Sequence, residues 1–251
     1  MTRTSSDTLV MSKTTEAIGA YAANPDAIVE AGEVVDIRFQ QGDKLSLRGA
    51  KLFHLLVQAA GVAIVDDKQH KIAFSELNES FHIPVQELEH IINELHRTVV
   101  SLKLTDEKGR SYKKSGSILS DVERESDDLS QAEIRFEFSK TMQKAIANSS
   151  HWAVLSRKAV LAFEGKYSLR LYTILSLRSG LRKTSEDFLL EDFRKLLGVP
   201  TGAYDRWNNF RQWVLAPALL EINQLGGVHV GFRPLKQGRK IIGVRLTWGM
   251  K

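Results

Sequence analysis

Three amides, Asn208, Asn209 and Gln212, fall within five residues, flanked by Arg206 and Arg211. Asn and Gln can pair bidentately with adenine N6/N7, and Arg with guanine O6/N7 or with phosphate. Unrolled as a helix at about 100° per residue, Asp205–Asn223 places Trp207, Phe210 and Val214 on one side. Asp205, Asn208, Asn209, Gln212 and Ala216 lie roughly opposite, and a small Ala leaves room for a base edge. Asn208, Asn209, Gln212, Arg206 and Arg211 are therefore the candidates for base readout. The plain alternative is an ordinary polar helix face. Pro217 should kink this helix, because it removes an i→i−4 bond. Arg194 and Lys195 precede it, and Lys236, Arg239 and Lys240 follow. Those five can hold phosphates on either side, which positions a reading helix without carrying sequence information. Solvated surface charge is the alternative for each.

Other chemistry is missing from the sequence. Without cysteine there is no disulfide scaffold, thiol nucleophile, iron–sulfur cluster or cysteine-ligated zinc. Gly165-Lys166 is followed by Tyr167, and Val160 stands where a phosphate loop needs its first glycine. No G-x-G pair, His-x-His or His-Glu-x-x-His occurs. His82, His90 and His96 read as surface residues rather than metal ligands. No carboxylate pair suits acid–base work. The chain is expected to be no enzyme, with no cofactor and no metal.

The elements that would position the amide helix come in two rounds. Leu47, Ala50, Lys51, Phe53, Leu55, Leu56 and Ala59 fit one broad apolar helical face that ends at Gly61. Phe74 starts a short helix with Ser75 as its N-cap. Pro84 suits a first turn, and Leu88, Ile91, Ile92 and Leu95 follow at i, i+3, i+4 and i+7. The period then drops to two. Thr98–Leu104 reads as a strand, Asp106–Ser117 as a polar loop, Ile118–Val122 as a strand, Glu125–Ser130 as an acidic loop and Ile134–Phe138 as a strand. In the second round Tyr167–Leu177 is a helix and Leu189–Leu197 a short helix closed by a C′ glycine, Gly198. Val199–Tyr204 is a turn, Asp205–Asn223 the long helix, and Val228–Trp248 a hairpin with its tip at Pro234–Arg239. Helix, short helix, longer helix and hairpin thus appear twice. A helix-turn-helix followed by a β wing is the winged-helix arrangement, so an α+β fold of two tandem winged-helix domains is expected.

Composition agrees with a folded chain: 251 residues, 43% hydrophobic and 26% charged. Residues 151–251 hold 17 basic and 7 acidic groups, whereas residues 1–150 hold 18 and 23. The basic half suggests a polyanion partner. The longer helix of the first round is acidic, with Glu87, Glu89 and Glu94, and its basic residues gather in the loop with Lys103, Lys108, Arg110, Lys113 and Lys114. That unit either contacts DNA through its wing, with Lys113 and Lys114 on the backbone, or chiefly binds protein. The start has no apolar signal stretch, and no apolar run reaches the roughly 18 residues of a membrane helix, so a cytoplasmic protein with no membrane contact is expected. The expected divisions are a flexible tail (1–33), with at most a short helix near Thr15–Ala22, then a first winged-helix domain (34–140) opening on a strand at Val34–Phe39. A connecting segment (141–166), with a short helix at Thr141–Ala147, leads to a second domain (167–251) that carries the main DNA contact.

The segments Leu45-Ser-Leu-Arg-Gly-Ala-Lys-Leu-Phe, Tyr167-Ser-Leu-Arg-Leu-Tyr-Thr-Ile-Leu, Leu190-Glu-Asp-Phe-Arg-Lys-Leu-Leu-Gly-Val, Ala216-Pro-Ala-Leu-Leu-Glu-Ile-Asn and Gly238-Arg-Lys-Ile-Ile-Gly-Val-Arg-Leu are individually loose. In this order and spacing the chain resembles the iteron-binding plasmid replication initiators over roughly residues 45–248. The resemblance implies a monomer that binds direct origin repeats through both domains, helps open A·T-rich DNA and recruits a host initiator and helicase. It also implies a dimer, joined through the first domain, that represses its own promoter. A winged-helix repressor without origin function is the alternative. A rolling-circle nuclease with an attacking tyrosine is a further one, although the His pair that holds its metal is not visible.

Overall fold

A computed structural model describes residues 12–39, 45–81, 85–105, 108–124 and 133–250. The chain opens with α1 (Lys13–Tyr21), β1 (Ala27–Ala31), α2 (Gly32–Val35) and β2 (Arg38–Phe39). Ser12 caps α1 by accepting from the Thr15 N–H, and Ala17 and Ile18 are buried. Residues 13–31, expected within a flexible tail, are therefore built into the fold. The stretch Val34–Phe39, expected to be one strand, is split: Val34 and Val35 end α2, and Arg38 and Phe39 form β2. β1 finds its partner far along the chain in β8 (Trp152–Ser156), with Ala27 opposite Ser156. A strand whose partner lies that distant leaves no local pattern to read.

The first helical unit consists of α3 (Leu47–Ala60), a 3-10 turn (Gly61–Val65), β3 (His70–Ala73), α4 (Phe74–Phe81) and α5 (Val85–Arg97). Leu52, Leu55 and Leu56 of α3 face Leu88, Ile91 and Leu95 of α5, all buried. Leu47–Val65 is long and apolar enough to pass for a membrane span, but half of it is buried inside the protein. α4 begins at Phe74, directly out of β3, so Ser75 sits inside the helix rather than at its cap. Pro84 lies outside the described residues, as does the acidic loop from 125.

Four strands follow: β4 (Val99–Thr105), β5 (Ser111–Ser117), β6 (Leu119–Arg124) and β7 (Glu133–Phe138). Only Ile118 separates β5 from β6. The first half of this nearly continuous strand pairs with β4, in a sheet of order β2-β4-β5, and the second half pairs with β7, in a sheet of order β3-β7-β6. The expected loop at Asp106–Ser117 is therefore shorter than its polarity suggested. Ser111–Ser117 is strand, with Lys113 opposite Lys103 and Lys114 opposite Leu102.

α6 (Lys140–Ala147), capped by Ser139, and α7 (Arg157–Ala162), capped by Ser156, flank β8. The second unit then runs α8 (Lys166–Gly180), β9 (Ser185–Leu189), α9 (Leu190–Leu196), α10 (Trp207–Phe210), a π turn (Arg211–Leu215), α11 (Ala216–Leu225), β10 (Val228–Gln237) and β11 (Lys240–Met250). Its sheet has the order β10-β11-β9. This matches β6-β7-β3 of the first unit strand for strand. Phe193, Phe210, Val214, Ile222, Val230, Val244, Leu246 and Trp248 fill the core between helices and sheet. Both units are winged helices.

α8 joins the two units. Arg170 donates to Leu196 O (2.9 Å) at the end of α9, and to Val35 O and Ile37 O (both 2.7 Å) at α2. Burial pushes its pKa down to about 10, which still leaves it charged at neutral pH. Arg178 holds Asp36 of the first unit (2.9 Å) and Glu186 of the second (3.1 Å).

Candidate nucleic-acid interface

The turn that launches the amide helix is held from inside. At the end of α9 the Gly198 N–H donates to Lys195 O (3.1 Å) and the Val199 N–H to Arg194 O (2.9 Å). Gly198 has φ +71°, so the helix closes in a Schellman motif with glycine at C′. Arg194 was expected on the phosphate backbone. It is instead only 6% exposed. Its guanidinium donates to Ala203 O and Asp205 O (both 3.0 Å) and to Tyr204 O, and lies 4.7 Å from the Phe210 ring centre. A planar fork of donors suits a turn that presents three carbonyls together. Tyr204 within that turn has φ +55°, a conformation that costs a non-glycine residue about 1–2 kcal/mol.

Beyond this clamp Arg206, Asn208, Asn209, Arg211 and Gln212 are all exposed. Phe210 and Val214 are buried beneath them. Trp207, expected in the core with those two, is half-buried at its rim, 6.2 Å from the Phe210 ring and 6.3 Å from Phe232. Pro217 does not interrupt the helix, which runs on from α10 through the π turn into α11. It has no N–H for an α-helical bond to Trp213 O, and the preceding residues form a π turn in which the Ala216 N–H reaches back to Arg211 O. Single π turns of this kind occur often at functional sites.

Two side chains fix the helix against its surroundings. Asn223 donates to Val230 O (3.0 Å) and accepts from the Val230 N–H (2.7 Å), which locks α11 to the first wing strand. Glu221 accepts from the Gly165 N–H (3.1 Å) and the Glu164 N–H at the start of α8. The first contact fixes this helix against the wing and the second fixes it against α8.

The wing tip is the two-residue turn Gly238-Arg239, with Gln237 opposite Lys240. Gly238 at φ +60° supplies the left-handed conformation that the first position of a II′ hairpin turn needs. Lys236, Arg239 and Lys240 are exposed around it, and Lys195 is exposed on α9. Two further wing arginines were not singled out from sequence. Arg233 stands opposite Arg245, and Arg245 opposite Asp187 of β9. Arg245 is bonded to Asp187 through two nitrogens, and that contact holds the Asp187 carboxyl below its ordinary value of 3.8. Arg233 is exposed on the same row. The alternation of Arg245 with the inward Val244 and Leu246 was the signal that could have found it, and Arg233 follows from its place opposite Arg245.

In the first unit Lys113 is exposed on its strand and Lys114 is half-buried. The glutamates of α5 are engaged within the chain. Glu87 pairs with Arg48, Glu89 with Arg124, and Glu94 accepts from the Ser46 hydroxyl (2.7 Å) and backbone N–H. His90, Asn93 and Arg97 are the exposed positions between and beyond them. No group of three or more His, Asp or Glu that could hold a metal ion occurs among the described residues.

Fold and surface together define a tandem winged-helix protein whose second unit presents an amide and arginine helix beside a basic wing. The family model described as "Initiator Replication protein, WH1" matches residues 28–176, and the one described as "Initiator Rep protein, WH2" matches residues 189–248. The chain belongs to the initiator Rep protein family. Among solved structures it is similar to the Pi initiator protein in complex with iteron DNA, at 17% identity and a TM-score of 0.68, covering 90% of this chain and 98% of that one. It also matches the WH1 domain of the MSBI1.176 replication protein, isolated from a multiple sclerosis patient, at 15% identity and a TM-score of 0.31, over 41% of this chain and 81% of that one. No curated protein sequence matches it.

Proposed function

We propose that this chain is a plasmid replication initiator that binds repeated origin DNA sequence-specifically and acts in the bacterial cytoplasm. The observation that carries the reading is the second unit's exposed Asn208, Asn209 and Gln212 between Arg206, Arg211 and the wing cations Lys236, Arg239 and Lys240. Amides suit base edges, and cations suit the phosphates on either side. Lys195 joins the backbone contacts, Arg194 supports them from within, and Lys113 on the first-unit hairpin supplies a second, weaker contact. Family membership and the likeness to a protein solved on iteron DNA support the same reading.

The mechanism is binding and distortion of DNA, with no covalent step. Monomers on adjacent repeats strain an A·T-rich segment and offer a surface to the host initiator and helicase. Dimers formed through the first unit, whose strands leave edges in three separate sheets, repress the chain's own promoter. The test is footprinting of the full chain on DNA from around its gene. Evenly spaced protections are expected, with affinity falling steeply with salt. Protection of a promoter alone would favour a plain repressor. Nicking of supercoiled origin DNA with Mg²⁺ or Mn²⁺ would overturn the non-enzymatic mechanism.

A further inference from the structure

The helix carries two large apolar side chains that neither the amides nor the core explains, Trp213 beside the amides and Leu220, 62% exposed, two turns further on. Trp213 is 60% exposed, on the solvent side of a helix whose Val214 and Leu215 are buried. It meets no other ring among the described residues. It follows Gln212 directly and stands one turn beyond Asn209, and Ala216 and Pro217 are exposed beside it. The run Asn208–Leu220 contains no acidic residue, and Glu221 at its end is tied to the start of α8. The outward face is therefore apolar and amide-bearing, bordered by arginine. A single exposed apolar side chain is ordinary, but Trp213, Ala216, Pro217 and Leu220 recur at helical spacing on this side, and a run of exposed apolar surface marks a contact site.

We propose that Trp213 is a specificity residue that reads thymine. Its indole packs against the C5-methyl group of a thymine in the major groove, beside the base edges taken by Asn209 and Gln212. Among the four bases only thymine presents a methyl group in the major groove, so an apolar contact there discriminates. The π turn places Trp213 and Gln212 on consecutive outward positions of a helix whose next residues turn inward. This inference rests on the DNA-binding reading above.

The test uses the full chain and a synthetic duplex of one footprinted repeat, with each thymine replaced singly by deoxyuridine. The substitution removes only a methyl group. The parent protein should lose about fourfold in affinity at one position, roughly the worth of one buried methyl. Trp213→Ala should bind the unmodified repeat several-fold more weakly and be indifferent to uracil at that position, with its response elsewhere unchanged. Trp213→Phe should keep part of the response. Trp213→Gln serves as a replacement variant if the alanine protein fails to fold. Identical uracil profiles for parent and variants would overturn the proposal, as would undiminished binding by Trp213→Ala; a protein partner would then be the occupant of this face. If the parent itself shows no preference for the repeat over random duplex, the DNA-binding reading fails before any variant is measured.

Discussion

At the scale of single residues, the second unit separates groups that touch solvent from groups that only position them. Gln212 and Lys240 are both exposed, but they should act differently. Gln212→Ala should cost about 1–3 kcal/mol on the specific repeat and little on random DNA, because a base contact carries discrimination. Lys240→Ala should weaken both alike and flatten the log–log salt slope by about one unit. Equal specific-to-random ratios for the two variants would mean that the helix presents another face. Arg194 belongs to the second kind. Replacing it by Ala leaves three turn carbonyls without their donor and removes the cation over Phe210. A loss of about 3 kcal/mol is expected in thermal or urea melts. Lys195→Ala, one residue on and exposed, should melt like the parent, weaken specific and random DNA alike and flatten the salt slope.

At the scale of elements, the sheets carry two tests. His70 of β3 is buried against Phe136 (5.5 Å) and Phe138 (6.3 Å), and its Nε2 has no partner among the described residues. Burial pulls its pKa below the ordinary 6.5. The unfolded chain therefore binds a proton that the folded chain resists, so His70's contribution to stability is present above about pH 6.5 and fades below it. Urea melts at pH 7.5 and pH 5.5 should show the drop, and His70→Phe should remove that part of it. The wing offers the other test. Gly238→Ala puts a side chain at φ +60° and should cost about 1–2 kcal/mol. Because the tip carries Lys236, Arg239 and Lys240, specific and random DNA should both bind more weakly. A change confined to specific DNA would argue that the tip enters a groove.

At the scale of the whole molecule, the two winged-helix units are joined at α8. Arg170 bonds to carbonyls of both units, and Arg178 bridges Asp36 and Glu186. Arg170→Met keeps the length of the side chain and removes all three bonds. It should lower stability by about 3 kcal/mol and split one melting transition into two. Calorimetry checks this, and a single unshifted transition would show that packing around α8 alone couples the units.

Local pattern was enough to specify both winged helices, because each of their helices buries a stripe at 3.6-residue spacing and each wing alternates at two. It also placed Asn208, Asn209, Gln212, Lys236, Arg239 and Lys240 on exposed surface, since amides and cations flanked by Phe210, Val214 and Val244 have nowhere else to go. Tertiary structure alone decided the rest. β1 needs β8, more than a hundred residues away, to satisfy its backbone, so nothing near Ala27 announces a strand. Ser111–Ser117 is strand because β4 pairs with it along its whole length, whatever its polar composition. Arg194 and Trp213 exchanged the places that their residue types suggest. The cation went inside because three carbonyls of a turn converge on it, and the indole went outside because the core beneath the helix is already filled by Phe210, Val214 and Leu215. Residue type predicts burial when the environment is generic, whereas convergent hydrogen-bond partners and a filled core are properties only of the assembled chain.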